Sequence, residues 1–90
     1  MPTVHLVIRG LVQGVSYRAA AREFATRLAL TGWVRNTREG NVELTASGPE
    51  PALKKLIAWC HQGPPLAEVT DVSFQRMPET PFDGFEIRRG

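Results

Sequence analysis

From Val4 to Arg9 the chain is rich in β-branched and aliphatic residues, with Val4, Leu6 and Ile8 on one side, and this period of two predicts a first strand. A glycine-bounded loop, Gly10 to Tyr17, interrupts it. From Arg18 to Leu30 the period lengthens to that of a helix: Ala21, Phe24, Ala25 and Leu28 form one stripe, opposite Arg22, Glu23, Thr26 and Arg27. Gly32 is the expected terminator. Trp33 to Asn36 reads as a short strand, Arg38-Glu39-Gly40-Asn41 as a turn, and Val42 to Ala46 as the returning strand of a hairpin. Ser47, Gly48 and Pro49 open a second helix, where Leu53, Leu56, Ile57 and Cys60 recur at i, i+3, i+4 and i+7 until Gly63-Pro64-Pro65 stops it. Ala67 to Arg76 is extended, and a last strand, Gly84 to Arg89, follows Pro78 and Pro81.

The order β-α-β-β-α-β plus a short C-terminal strand predicts a ferredoxin-like α/β sandwich of the α+β class, two helices on one face of a mainly antiparallel sheet. Ninety residues suit a single domain, 1–90, with one core, since chains near this size bury only about 60% of their unfolded surface. That architecture serves nucleic-acid binders, metal carriers, regulatory modules and enzymes alike, so function has to be read from particular residues.

Composition removes several classes. Hydrophobic residues at 42% and charged residues at 22% fit an ordinary globular domain. The apolar runs are too short to span a bilayer, and the N-terminus lacks the pattern of a signal peptide, so no membrane association and a cytoplasmic location are expected. The single cysteine, Cys60, fits a reducing compartment. No arginine follows it closely enough to make a thiol phosphatase loop, position 66 being Leu66, so Cys60 is expected to be a small core hydrophobe. A net charge of +2, with eleven Lys and Arg dispersed along the chain, suits a small anion better than a nucleic acid. An RNA-recognition surface would need paired aromatics on its central strands, and aromatics make up 8% of the chain without such a cluster. A non-catalytic anion- or RNA-binding module is the alternative to an enzyme.

His5 and His61 stand in no metal-ligand spacing and are assigned structural or surface roles, and no metal site or cofactor is expected. Trp33 and Phe24 are read as core or pocket-wall aromatics, Trp59 as lying at the rim of the helix layer, and Arg88 and Arg89 as a solvated strand end. Glu39 and Asp71 are too isolated to suggest a carboxylate pair.

The chemically informative stretch is GLVQGVSYR, Gly10 to Arg18, between the first strand and the first helix. A loop with glycines at both ends can turn several backbone N–H groups toward one point, and the helix start behind it adds partial positive charge. Arg18 at its end can clamp a tetrahedral oxyanion with two parallel hydrogen bonds. A cation in the first turn of a helix is otherwise disfavoured by the dipole, unless an anion is shared. The loop lacks the Gly-Lys-Ser/Thr end of a nucleoside triphosphate site. From the residues alone, a strand terminator followed by a solvated arginine remains an equal alternative.

GLVQGVSYR closely resembles the first signature of the acylphosphatase family, Gly-x-Val-Gln-Gly-Val-x-Phe-Arg, and GWVRNTREGNVE resembles the second, in the same order and spacing. The similarity extends through both helices to the closing FEIRR. Tyr17 stands where phenylalanine is usual, Leu11 where a larger or polar residue is common, and Glu39 where aspartate is common. The resemblance implies hydrolysis of acyl phosphates to a carboxylate and inorganic phosphate. It implies that the phosphate is bound by Arg18 and by backbone N–H groups of Gln13, Gly14, Val15, Ser16 and Tyr17, with the attacking water oriented by Asn36. An asparagine beside the anion loop suits that task because it offers a donor and an acceptor without titrating; standing alone, it would be read as a polar cap of the hairpin. The expected partner is a small acyl phosphate, the expected state a monomer. The Gly90 carboxylate would meet Arg18 if the last strand runs toward the loop, a frayed end being the alternative.

Overall fold

A computed structural model describes residues 1–89 as β1 (Thr3–Leu11), α1 (Tyr17–Arg27), β2 (Thr31–Asn36), β3 (Val42–Ser47), α2 (Glu50–Gln62), β4 (Glu68–Met77) and β5 (Phe85–Arg88). The strands form one sheet in the order β4-β1-β3-β2-β5, antiparallel except where β5 runs parallel to β2. This is the ferredoxin-like arrangement with a fifth strand added beside β2.

The alternation read in the sequence sets which face is covered. Val4, Leu6 and Ile8 of β1, Val34 of β2, and Val42, Leu44 and Ala46 of β3 are buried together with Tyr17, Ala21 and Ala25 of α1 and Leu53, Leu56 and Cys60 of α2. Small residues on α1 let that helix lie close to the sheet, while α2 supplies the larger side chains. Trp59 joins the two helices, its ring 5.3 Å from that of Tyr17 and stacked on Phe24 at 5.6 Å. The opposite face carries a polar lattice: His5 Nδ1 shares a hydrogen bond of 2.9 Å with Thr45 Oγ1, and Glu43 pairs with Arg35. Trp33 lies on that face, not in the core, with the Arg88 guanidinium 5.1 Å from its ring centre and the His5 ring at 6.1 Å. Adjacent residues of a strand face opposite ways, and in β2 it is Val34 that takes the covered face.

Helix α1 ends sooner than its hydrophobic stripe suggests. Ala29 adopts a left-handed φ of 58°. Its N–H reaches Thr26 O at 3.0 Å and that of Leu30 reaches Ala25 O at 3.0 Å, the paired bonds of a Schellman stop. Leu30 and Ala25 are both buried, supplying the motif's apolar contact. Gly32, the expected terminator, has another role. At φ 146° it sits in β2 opposite Ala46, where a Cβ would overlap the Thr45 carbonyl oxygen. Strand β1 also runs past its expected end, through a register shift between Arg9 and Gly10, so Leu11 belongs to the strand.

The segment between β4 and β5 crosses the end of the sheet where β1 starts. Thr80 N donates to Thr3 Oγ1 at 3.1 Å and Ser47 Oγ donates to Thr80 O at 2.9 Å. This tie delivers β5 to the edge of β2, running toward the opposite end. No described helix is long and apolar enough to cross a membrane.

Candidate active site

At the end of the sheet where β1 finishes, the loop into α1, the β2–β3 turn and the end of β5 surround a cleft of about 810 Å³. Its lining includes Gly14, Ser16, Tyr17 and Arg18 from the loop and helix start, Asn36, Thr37 and Arg38 from the hairpin, Ile87 from β5 and Arg89 directly after it. Two stretches 18 residues apart in sequence, at Arg18 and Asn36, thus face one space.

The loop gains its shape from two left-handed residues, Gly14 at φ 77° and Ser16 at φ 65°. Helix α1 starts directly after Ser16, whose side chain makes no capping hydrogen bond. The first backbone bond runs from Ala20 N to Ser16 O at 3.1 Å. The N–H groups of Tyr17, Arg18 and Ala19 are therefore the helix's intrinsically unpaired donors, beside a cleft and with no acidic residue in the first turn. Tyr17 fixes this end of the loop. Its ring is buried, and its hydroxyl donates to Cys60 O at 2.8 Å, satisfying a carbonyl in the last turn of α2. Burial, reinforced by the neighbouring Cys60, holds the Tyr17 hydroxyl far above its ordinary range, and burial likewise pushes the Cys60 thiol up to about 12. Cys60 is thus a neutral core group, as its context in the sequence suggested.

Arg18 is half-buried and, among the described residues, pairs with no carboxylate. With Arg38 and Arg89 it gives the lining three guanidinium groups and no acidic side chain. Asn36 ends β2 with its Oδ1 buried and without a hydrogen-bond partner among the described residues. Buried acceptors are ordinarily satisfied, which sets this oxygen apart from the other buried side-chain polar atoms among the described residues.

Of the residues singled out in the sequence, Gly14, Ser16, Tyr17, Arg18 and Asn36 line the cleft. Val15 does not, and packs against the core. Gln13 points its side-chain amide at the hairpin, with Nε2 2.8 Å from Thr37 O and 2.9 Å from Asn41 O. Arg38, Thr37 and Arg89 were not foreseen in the lining; a turn arginine and a strand-end arginine carry no local mark that separates them from solvated charges. Gly90 lies outside the described residues. No three described His, Cys, Asp or Glu side chains cluster as metal ligands would.

The Acylphosphatase family model matches residues 4–87. The chain belongs to the acylphosphatase family. Family relatives include the acylphosphatase of Acidovorax sp., 51% identical and aligned over 96% of this chain and 89% of its own length. That of Methylococcus capsulatus is 48% identical over 99% and 98%. The crystal structure of the acylphosphatase from Bacillus subtilis superposes with a TM-score of 0.95 at 34% identity, covering 98% of this chain and 99% of its own. The acylphosphatase match includes both cleft-lining stretches, and the alignments leave no large part of either chain unmatched.

Proposed function

We propose that this member of the acylphosphatase family cleaves the carboxyl–phosphate bond of a small acyl phosphate in the cleft between the Gly14–Arg18 segment and Asn36. The observation that carries the proposal is the pairing, in one cleft, of Arg18 and Asn36, where among the described residues Arg18 meets no carboxylate and the buried Asn36 Oδ1 has no hydrogen-bond partner. Arg18 and the N–H groups of the Gln13–Tyr17 segment hold the phosphoryl oxygens; Asn36 accepts a hydrogen bond from water and directs its oxygen at phosphorus.

The reaction needs little else. Water adds its oxygen to phosphorus in line with the departing acyl oxygen, the P–O(acyl) bond breaks, and the bonding pair leaves on the carboxylate. One proton of the water remains with the new P–O bond and the other passes to a phosphate oxygen, giving a carboxylate and dihydrogen phosphate. The leaving carboxylate has a conjugate-acid pKa of about 4, so no side chain has to protonate it. Charge that develops on the equatorial oxygens meets preorganised donors, each worth a few kcal/mol in related oxyanion sites.

The direct test is phosphate release from acetyl phosphate or benzoyl phosphate. Turnover above the buffer rate, competitively inhibited by inorganic phosphate and insensitive to EDTA, is expected. Phosphate binding without turnover would instead make the chain a binding module, and activity lost to EDTA and restored by a divalent cation would overturn the metal-free scheme. The proposal extends to a single domain acting as a monomer in the cytoplasm without nucleic acid. Free Cys60 suits a reducing compartment, while light scattering, nucleic-acid titration and cell fractionation test the other points.

A further inference from the structure

The two halves of the cleft are held differently. The loop side is tied to the core through the buried Tyr17 ring and its bond to Cys60 O. The hairpin side turns at Thr37–Asn41, closed by Thr37 N to Asn41 O at 2.9 Å and Gly40 N to Thr37 O at 3.2 Å. Both carbonyls that close this turn also accept from Gln13 Nε2, at 2.8 Å from Thr37 and 2.9 Å from Asn41. Only the NH₂ end of the amide can satisfy two carbonyl oxygens, so its orientation is fixed by its partners. Thr37 directly follows Asn36, which places the amide's hold one residue from the side chain that orients water.

We infer that the Gln13 side-chain amide is a positioning residue, setting the hairpin that carries Asn36 against the phosphate loop. This rests on the catalytic reading of the cleft above. Gln13 acts through Asn36, not on substrate. Because Tyr17 anchors the loop independently, loss of the amide leaves the phosphate-binding side in place and displaces the water-orienting side. A misplacement of this kind acts on turnover more than on binding.

Gln13→Met keeps the length and removes both donors; Gln13→Glu puts a carboxylate against the two carbonyls. In each, kcat on benzoyl phosphate should fall by about tenfold or more while the inhibition constant of inorganic phosphate changes less than about threefold. In the Asn36→Ala background, Gln13→Met should cost less than about twofold further, because the side chain it positions is gone. Wild-type kcat in both single variants, a loss of equal size in the Asn36→Ala background, or failure of both variants to fold would each overturn the inference. If Asn36→Ala alone keeps the wild-type rate, the assignment of Asn36 fails first and this one with it. A normal Asn36 effect with independent Gln13 losses overturns only the role given to Gln13.

Discussion

Arg18 occupies the second position of α1, where the helix's partial positive charge disfavours a guanidinium that has no anion to share. In the proposed reading a bound phosphoryl group removes that conflict, meeting the arginine and the free N–H groups together. Arg18→Ala should therefore abolish measurable inhibition by phosphate and lower kcat/KM by on the order of a thousandfold, with a folded far-UV spectrum because the core does not depend on it. Arg18→Lys should recover little, since an ammonium cannot reproduce the two parallel bonds. Asn36→Ala should differ in kind, lowering kcat by on the order of a hundredfold with a much smaller change in phosphate inhibition. Steady-state kinetics on benzoyl phosphate with phosphate as inhibitor separates the two; wild-type turnover in Asn36→Ala would remove it from the mechanism.

Among the elements, what the sequence revealed depended on how local the cause was. The alternation Val4, Leu6, Ile8 and the stripe Leu53, Leu56, Cys60 are set by burial of the same side chains that show the pattern, and both buried faces formed as read, although β1 runs on to Leu11 and Ser47, read as part of the opening of α2, belongs to β3. The loop's place at the cleft was legible because Gly14 and Arg18 sit in one short motif. The stop of α1 was not, because Ala29 takes a conformation that usually signals itself through glycine, and the true glycine, Gly32, answers to a backbone in β3. The bond from Gln13 to Thr37 spans 24 residues and leaves no trace in either segment's own pattern. Ala29 gives a prediction at this scale. It is exposed, so Ala29→Gly loses no packing and relieves a left-handed cost of about 1–2 kcal/mol, against an added unfolded-chain entropy of about 0.4–1 kcal/mol. The net should be a gain of roughly 0.5–1 kcal/mol, seen as a higher urea midpoint at unchanged m. Gly32→Ala should go the other way by about 2–3 kcal/mol, through the overlap with Thr45. A lower midpoint for Ala29→Gly would show that the Schellman stop is unstrained.

At the scale of the whole molecule, the active end and the core share one joint, the contact of Tyr17 with the last turn of α2. Its two ionisable groups are kept neutral by burial, and this gives the fold a pH dependence of definite sign. The Cys60 thiol, ordinarily near 9.0, is pushed up to about 12, and the Tyr17 hydroxyl is raised from 10.0 in the same direction. Between pH 9 and 12 the unfolded chain releases the Cys60 proton while the folded chain retains it, so the native state binds more protons and stability falls as pH rises. Each such group contributes a slope of up to about 1.4 kcal/mol per pH unit, and Tyr17 adds its own above pH 10. Below pH 9 both groups are protonated in either state and contribute no slope. Urea midpoints measured from pH 7 to 10.5 should therefore show a decline above about pH 9 that is shallower in Cys60→Ala, whatever that variant loses at neutral pH to its cavity. Tyr17→Phe should lessen the decline only above pH 10, and because its hydroxyl ties the loop proposed to bind phosphate to α2, it should also weaken phosphate inhibition at neutral pH. Identical pH slopes in the wild type and both variants would mean that the two groups ionise as freely in the folded chain as in the unfolded one, and the sealed joint between cleft and core would have to be abandoned.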